Sequence, residues 1–288
     1  MIVTNPHHPS QNIFRQCLEE GLILRGGHRG NPAYGENTEV SFNMALEQGA
    51  DYLETDIQLV RSKFGGYVPI LFHDDNGARV LRDSEGKPVD KPLTAMFWEE
   101  IQDYTVVNPS SLEVTQQRVL SLCEYLRIFG ERTLHYLELK LKGDATHSEK
   151  QTLVDNTISV LNAHNLYSRI MLVSYDHETT QMAASFAEAH NIPMGRNFNI
   201  WDEVSEILTQ DPSTRQISTL CPDFENTNAN QVRSAIENGF YVIPYTPNSK
   251  VEFETILDWQ KNGVSQVNGI TTNRLDVLNE VLKVREKF

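Results

Sequence analysis

Short apolar runs and amphipathic stretches alternate along nearly the whole chain, and this alternation restricts the architecture more than any other feature of the sequence. The runs at 22–24, 52–59, 67–72, 133–141, 170–175, 194–198, 219–221, 241–245 and 269–271 are short, flanked by Gly, Pro or polar residues, and read as strands. Between them, 120–129, 151–163, 179–190, 203–208, 230–238, 253–261 and 275–287 carry apolar residues at helical spacing. A further amphipathic helix is expected at 12–20, and another after Thr38, which reads as an N-cap, running to Gly49 as its C-cap. Strands separated by helices need crossover connections, and those produce a parallel sheet. About eight strand–helix units, in a chain of 288 residues, fit a TIM (β/α)8 barrel of roughly 250 residues with room for one insertion. Neither a Ser/Gly-rich linker nor a change of composition divides the chain, so one domain is expected over 1–288. Its interrupted, polar stretch at about 75–107 reads as a small insertion after the second strand.

The formal net charge of −14 excludes a broad basic surface for nucleic acid or anionic lipid. A phosphate ligand would have to meet a local cation. Neither G-x-G-x-x-G nor G-x-x-x-x-G-K-[ST] follows the first strand, which argues against dinucleotide and P-loop sites. Cys17, Cys123 and Cys221 lie far apart without paired spacing, so the expectation is reduced thiols and no zinc knuckle. The segment 1–14 lacks the apolar core of a signal peptide, and no apolar run is long enough to span a bilayer. A soluble, cytoplasmic protein without stable membrane insertion is expected.

In a barrel the reactive groups gather at the C-terminal ends of the strands. His28 follows the first strand and His73 ends the run at 67–72, which reads as the second arm of a hairpin. Side chains alternate along a strand with period two, so Glu54 and Asp56 share one face, and so do Glu138 and Lys140. Two carboxylates on one buried face are costly without a cation. Glu54, Asp56 and Glu138 together offer hard oxygen ligands without a thiolate, a set suited to Mg²⁺ or Ca²⁺. His28 and His73 form an acid/base pair, while Arg29 and Lys140 supply positive charge for a phosphoryl group. This is the chemistry of phosphodiester cleavage.

The ordered set His28-Arg29-Gly30, Glu36-Asn37-Thr38, Gly49-Ala50-Asp51, Glu54-Thr55-Asp56, His73-Asp74 and Glu138-Leu139-Lys140 resembles the glycerophosphodiester phosphodiesterase family. Tyr245-Thr246-Pro247-Asn248 and Gly269-Ile270-Thr271-Thr272 extend the resemblance towards the C-terminus. The resemblance implies a TIM barrel, a divalent cation, and hydrolysis of a small-molecule glycerophosphodiester to glycerol 3-phosphate and an alcohol. It further implies that His28 and His73 are the acid/base pair, that Glu54, Asp56 and Glu138 hold the metal, and that Arg29 and Lys140 contact phosphate. Glu36 matches the family's acidic residue near the metal or the glycerol, and Tyr245 stands where the family often has tryptophan, a substrate-binding position.

Two other functions use similar residues. A barrel phospholipase of the sphingomyelinase D or lysophospholipase D kind also has two histidines and a carboxylate-bound metal, but that type tends to have Asp in the place of Glu138. A non-catalytic phosphate-binding barrel would be marked by loss of a histidine or a metal ligand, and none is lost. The chain departs from the family pattern in the turn Arg61-Ser62-Lys63-Phe64-Gly65-Gly66 and in having Asn273 and Leu275 in place of an expected Asp and Pro. The remaining histidines are expected to be ordinary surface or core residues, Glu138 and Lys140 have a plain ion pair as their structural alternative, and Asn37 and Thr38 are expected to start a helix.

Overall fold

The computed structural model describes residues 12–108, 111, 114–211, 215–261 and 264–285. Eight parallel strands form its centre: β1 (Leu24–Gly27), β2 (Tyr52–Arg61), β3 (Leu134–Leu139), β4 (Ile170–Ser174), β5 (Met194–Phe198), β6 (Thr219–Pro222), β7 (Tyr241–Val242) and β8 (Gly269–Thr272). They lie in the order β7-β6-β5-β4-β3-β2-β1-β8. The two ends of this sheet meet, because Asn268 N–H donates to Val242 O at 2.8 Å and Thr271 N–H to Pro244 O at 3.0 Å. The result is the expected barrel, nearly closed, with helices outside it.

The N-terminal end of the barrel is filled. Phe14, Cys17 and Leu18 of the helix Ile13–Glu19 pack with Leu24, Tyr52, Leu134, Met171 and Ile243, and Asn12 ties that helix to Ile170 O at 3.0 Å. This leaves the opposite, C-terminal end for a site. Strand β1 occupies Leu24–Gly27 rather than 22–24, and Leu22 is exposed. The strand includes glycines for steric reasons: a Cβ on Gly26 would lie 2.1 Å from the Tyr52 ring, and one on Gly27 would lie 2.9 Å from the Ala45 Cβ.

Near the C-terminus, the helix expected at 253–261 instead runs Lys250–Leu257, started four residues after Thr246 by a capping box between Ser249 and Glu252. It is followed by Gln260–Lys261 paired antiparallel with Val264–Ser265. Thr38 does cap the helix Glu39–Glu47, sharing a capping box with Ser41.

The strand Tyr67–Leu71 pairs antiparallel with β2. Beyond it, Leu81–Arg82, Thr105–Val107 and Val114–Gln117 form a three-stranded sheet whose apolar cluster includes Val80, Leu81, Leu93, Met96, Ile101 and Val106. Among the described residues no helix is long and apolar enough to cross a membrane.

His135 is fully buried and has a structural role. Its Nδ1 meets the Tyr125 hydroxyl at 2.8 Å and its Nε2 meets Gly130 O at 3.2 Å. A carbonyl only accepts, so Nε2 carries the proton and Nδ1 accepts from Tyr125. Burial pushes this imidazole down to about 4. The unfolded chain therefore takes up a proton that the fold refuses, and stability is lost as pH falls from the ordinary histidine range towards 4. Between pH 6.5 and 5 this residue should cost about 2 kcal/mol of unfolding free energy. Urea unfolding of the parent and of His135→Gln at the two pH values checks this: the variant should show the smaller pH dependence.

Candidate active site

The strand register brings the expected site residues to one level. Asp56 on β2 is paired with Glu138 on β3. Gly27 is paired with Leu53 on one side and Thr272 on the other, which sets His28 beside Glu54. His28, Glu54, Asp56, His73, Glu138 and Lys140 line one polar cavity of about 110 Å³, together with Arg29 and Tyr245.

The turn after β1 is built to aim its side chains inward. Arg29 has φ +53° and Gly30 φ +79°. A Cβ on Gly30 would lie 2.6 Å from the Ser41 backbone, so glycine is required where the turn meets the helix Glu39–Glu47. The reversed backbone lets Arg29 N–H donate to Glu54 Oε2 at 2.8 Å while its guanidinium Nε approaches Asp56 Oδ2 at 3.3 Å. Its Nη1 reaches Glu36 Oε1 at 3.3 Å.

Glu54, Asp56 and Glu138 are buried and each offers an oxygen within 4.8 Å of the others. Burial, added to the charges of Asp56 and Glu138, holds the Glu54 carboxyl well above its usual range. Burial also raises Glu138, against the opposing pull of Lys140. At Asp56 burial works in the same direction, but Arg29 and Lys140 outweigh it and the carboxyl lies below its usual range. Lys140 sits between the two acids, 3.4 Å from Asp56 Oδ1 and 3.1 Å from Glu138 Oε1. Glu138 and Lys140 thus do pair, as a part of the larger cluster.

The two histidines are held from behind. His28 Nδ1 donates to Asn273 Oδ1 at 2.7 Å, an acceptor, which leaves Nε2 unprotonated in the neutral ring, 4.0 Å from Glu54 Oε2. Burial and the neighbouring Arg29 push the His28 imidazole down to about 3. His73 Nδ1 contacts Asp74 Oδ1 at 2.7 Å. Asp74 is in turn gripped by Arg79, whose Nε lies 2.6 Å from Oδ2, and the same guanidinium holds Glu36 through contacts of 2.8 and 2.5 Å. Glu36, Arg79, Asp74 and His73 form one chain.

The family model described as the glycerophosphoryl diester phosphodiesterase family matches residues 25–277, a span that contains every one of these groups. The chain belongs to that family. It is 23% identical over 289 residues to a glycerophosphodiester phosphodiesterase of Bacillus subtilis, covering 92% of this chain and 88% of the relative. A phosphodiesterase of Oleispira antarctica, in complex with the product sn-glycerol-3-phosphate, superposes with a TM-score of 0.72 at 18% identity, over 92% of this chain and 99% of that one. A glycerophosphodiester phosphodiesterase of Agrobacterium tumefaciens gives 0.69 at 19% identity, over 90% and 100%. At such identities the superpositions establish the barrel, and the family match carries the membership.

Within this family member, residue pattern does not mark every group of the site. Arg79 lies in the stretch expected to be an insertion, and nothing in its local spacing marks it. Asn273, a departure from the family pattern, touches His28 with its side chain. Asn197 donates to Glu138 at 2.8 Å, and Tyr175 donates to the Tyr245 hydroxyl at 2.6 Å. Tyr245 itself hydrogen-bonds Phe198 O at 3.0 Å, so its ring is fixed at the cavity wall. Asp51 of the ordered motif lies away from the cavity, paired with Arg25 at 2.8 Å. Asn37 starts the turn before its helix and also donates to Asp56 Oδ2 at 3.1 Å.

Proposed function

We propose that the protein is a divalent-metal-dependent glycerophosphodiester phosphodiesterase that releases glycerol 3-phosphate and an alcohol, using His28 and His73 as its acid/base pair. The observation that carries this reading is the convergence of both histidines, three buried carboxylates and two cations on one cavity in a chain of this family.

Glu54, Asp56 and Glu138 would hold the cation. The donor set fits a hard ion: it is all oxygen, and the charge on Glu54 is opposed by its acidic neighbours and by burial. When bound, Mg²⁺ or Ca²⁺ would supply positive charge against the phosphoryl oxygens. Arg29 and Lys140, at the same cavity, would contact the phosphate, and Tyr245 bounds the space for the glycerol, while Glu36, which does not line this cavity, holds Arg29 and Arg79. His28, with its proton fixed on Nδ1 by Asn273, presents Nε2 to accept the proton of the attacking hydroxyl. His73, oriented through Nδ1 by Asp74, donates to the departing alcohol oxygen. Overall one P–O bond to the alcohol breaks, one P–O bond to the nucleophile forms, and water is consumed. We also place the protein in the cytoplasm, where an exposed free thiol such as Cys123 stays reduced, with a small molecule as its substrate and no nucleic acid.

Arg79 is expected to act by orienting His73 through Asp74. Arg79→Ala should lower kcat by about 10- to 100-fold, the scale of a misplaced catalytic group. Arg79→Lys should restore little, since a point charge cannot grip Glu36 and Asp74 together. Steady-state kinetics of both variants check this; recovery by lysine would show that charge alone matters.

The substrate class is tested by product analysis on glycerophosphocholine and lysophosphatidylcholine in parallel. Glycerol 3-phosphate released from the first is the expected result. Turnover confined to the second would replace this reading with a lysophospholipase D type of activity.

A further inference from the structure

Glu138 is held on both oxygens. Lys140 Nζ reaches Oε1 at 3.1 Å, and Asn197 Nδ2 donates to Oε2 at 2.8 Å. Behind Asn197, the Tyr136 hydroxyl donates to Asn197 Oδ1. Tyr136 and Glu138 stand two residues apart on β3, on the same interior face, and Asn197 comes from β5. All three side chains are buried, Tyr136 and Asn197 each being 3% exposed.

The direction of this chain is fixed by what each atom can do. A carboxamide oxygen only accepts and its nitrogen only donates. With Tyr136 donating to Oδ1, the amide turns Nδ2 towards Glu138 and has no other orientation that satisfies both neighbours. A flipped amide would set oxygen against carboxylate oxygen in a buried site, where an unmade hydrogen bond is expensive. The same arrangement occurs a second time in the cluster: the Thr55 hydroxyl donates to Asn37 Oδ1 at 2.7 Å, and Asn37 Nδ2 donates to Asp56 Oδ2 at 3.1 Å.

We infer that Asn197, locked by the Tyr136 hydroxyl, is a positioning residue that sets the divalent-cation affinity of the site by holding Glu138 in its ion-binding orientation. This rests on the reading of Glu138 as a metal ligand. Groups that orient a metal ligand without touching the ion commonly govern affinity by 10- to 100-fold. A hydroxyl behind the amide adds a second layer of the same kind, on strands rather than loops.

The test is calorimetric titration of the whole, metal-stripped protein with Mg²⁺ alone and with Ca²⁺ alone, without substrate. Asn197→Leu should weaken binding by about 10- to 100-fold. Tyr136→Phe, which keeps the ring and removes only the hydroxyl, should weaken it by a smaller factor. The double variant should be no worse than Asn197→Leu, because the hydroxyl acts through the amide. Activity at saturating ion should return close to the parental kcat, and melting temperatures in EDTA should not track the affinities. Parental affinity in both variants overturns the inference, as does a loss in affinity that simply follows a loss of fold. If Asn197→Leu does not fold, Tyr136→Phe decides alone. A parent that binds neither ion overturns it too. Hydrolysis by a parent whose variants keep full affinity sinks this inference and leaves the proposed activity standing.

Discussion

His28→Ala and His73→Ala should each lower kcat for glycerophosphocholine by about 10²- to 10⁴-fold, the usual contribution of a positioned acid or base. The two losses should differ in kind. His73 is assigned to the leaving oxygen, so its removal should matter far less for a glycerophosphodiester with a p-nitrophenyl group, which departs without a proton. His28 is assigned to the nucleophile, so its loss should be nearly as severe on the activated substrate as on the natural one. This asymmetry follows from the roles assigned to the two rings, behind which stand the neutral amide of Asn273 at His28 Nδ1 and the carboxylate of Asp74 at His73 Nδ1. Assaying both variants on both substrates checks it. Equal rescue of the two variants by the activated group would reverse or dissolve the assignment.

Glu54→Gln should have an effect of opposite sign on activity and on stability. Activity at millimolar Mg²⁺ should fall by more than about 100-fold, since losing a ligand exceeds the cost of losing a group that merely orients one. The metal-free protein should become more stable. Burial beside Asp56 and Glu138 holds the Glu54 carboxyl above its usual range, so the fold binds its proton more tightly than the unfolded chain does. That contribution is present at low pH and is lost as pH rises. A neutral isostere at neutral pH removes the conflict and still accepts the Arg29 N–H. The melting temperature in EDTA should therefore rise in Glu54→Gln. Asp56→Asn is a poorer test, because Arg29 and Lys140 would be left without their shared acceptor. A Glu54→Gln protein that loses activity and also melts lower in EDTA would mean that Glu54 is structural.

The parts of this site that could be read from sequence are those governed by local rules. Period-two alternation places Glu54 with Asp56 and Glu138 with Lys140, and both pairs do face the cavity. The helix after Thr38 begins where its side chain can cap it. What sequence did not reveal depends on closure of the barrel and on chain reversal. Asn273 reaches His28 only because β8 returns beside β1, a separation of 245 residues. Arg79 reaches Glu36 only because the polar stretch after His73 folds back over the first loop. The first strand lies at 24–27 rather than 22–24: hydropathy favours Leu22 and Ile23, whereas packing favours Gly26, which makes room for Tyr52. Asn197 looks like an ordinary strand residue until Glu138 is placed two strands away. The ordered motif holds His28, Glu54, Asp56, His73 and Glu138 with two of their supports, Asp74 and Asn37, and omits Arg79, Asn197 and Asn273.

The most direct test of the proposed reaction is release of glycerol 3-phosphate from glycerophosphocholine by the purified protein, before EDTA, after EDTA, and after re-addition of Mg²⁺ or Ca²⁺. Release that disappears with the chelator and returns with the ion is the predicted result. Release that persists undiminished in EDTA, or no release with either ion, would contradict it.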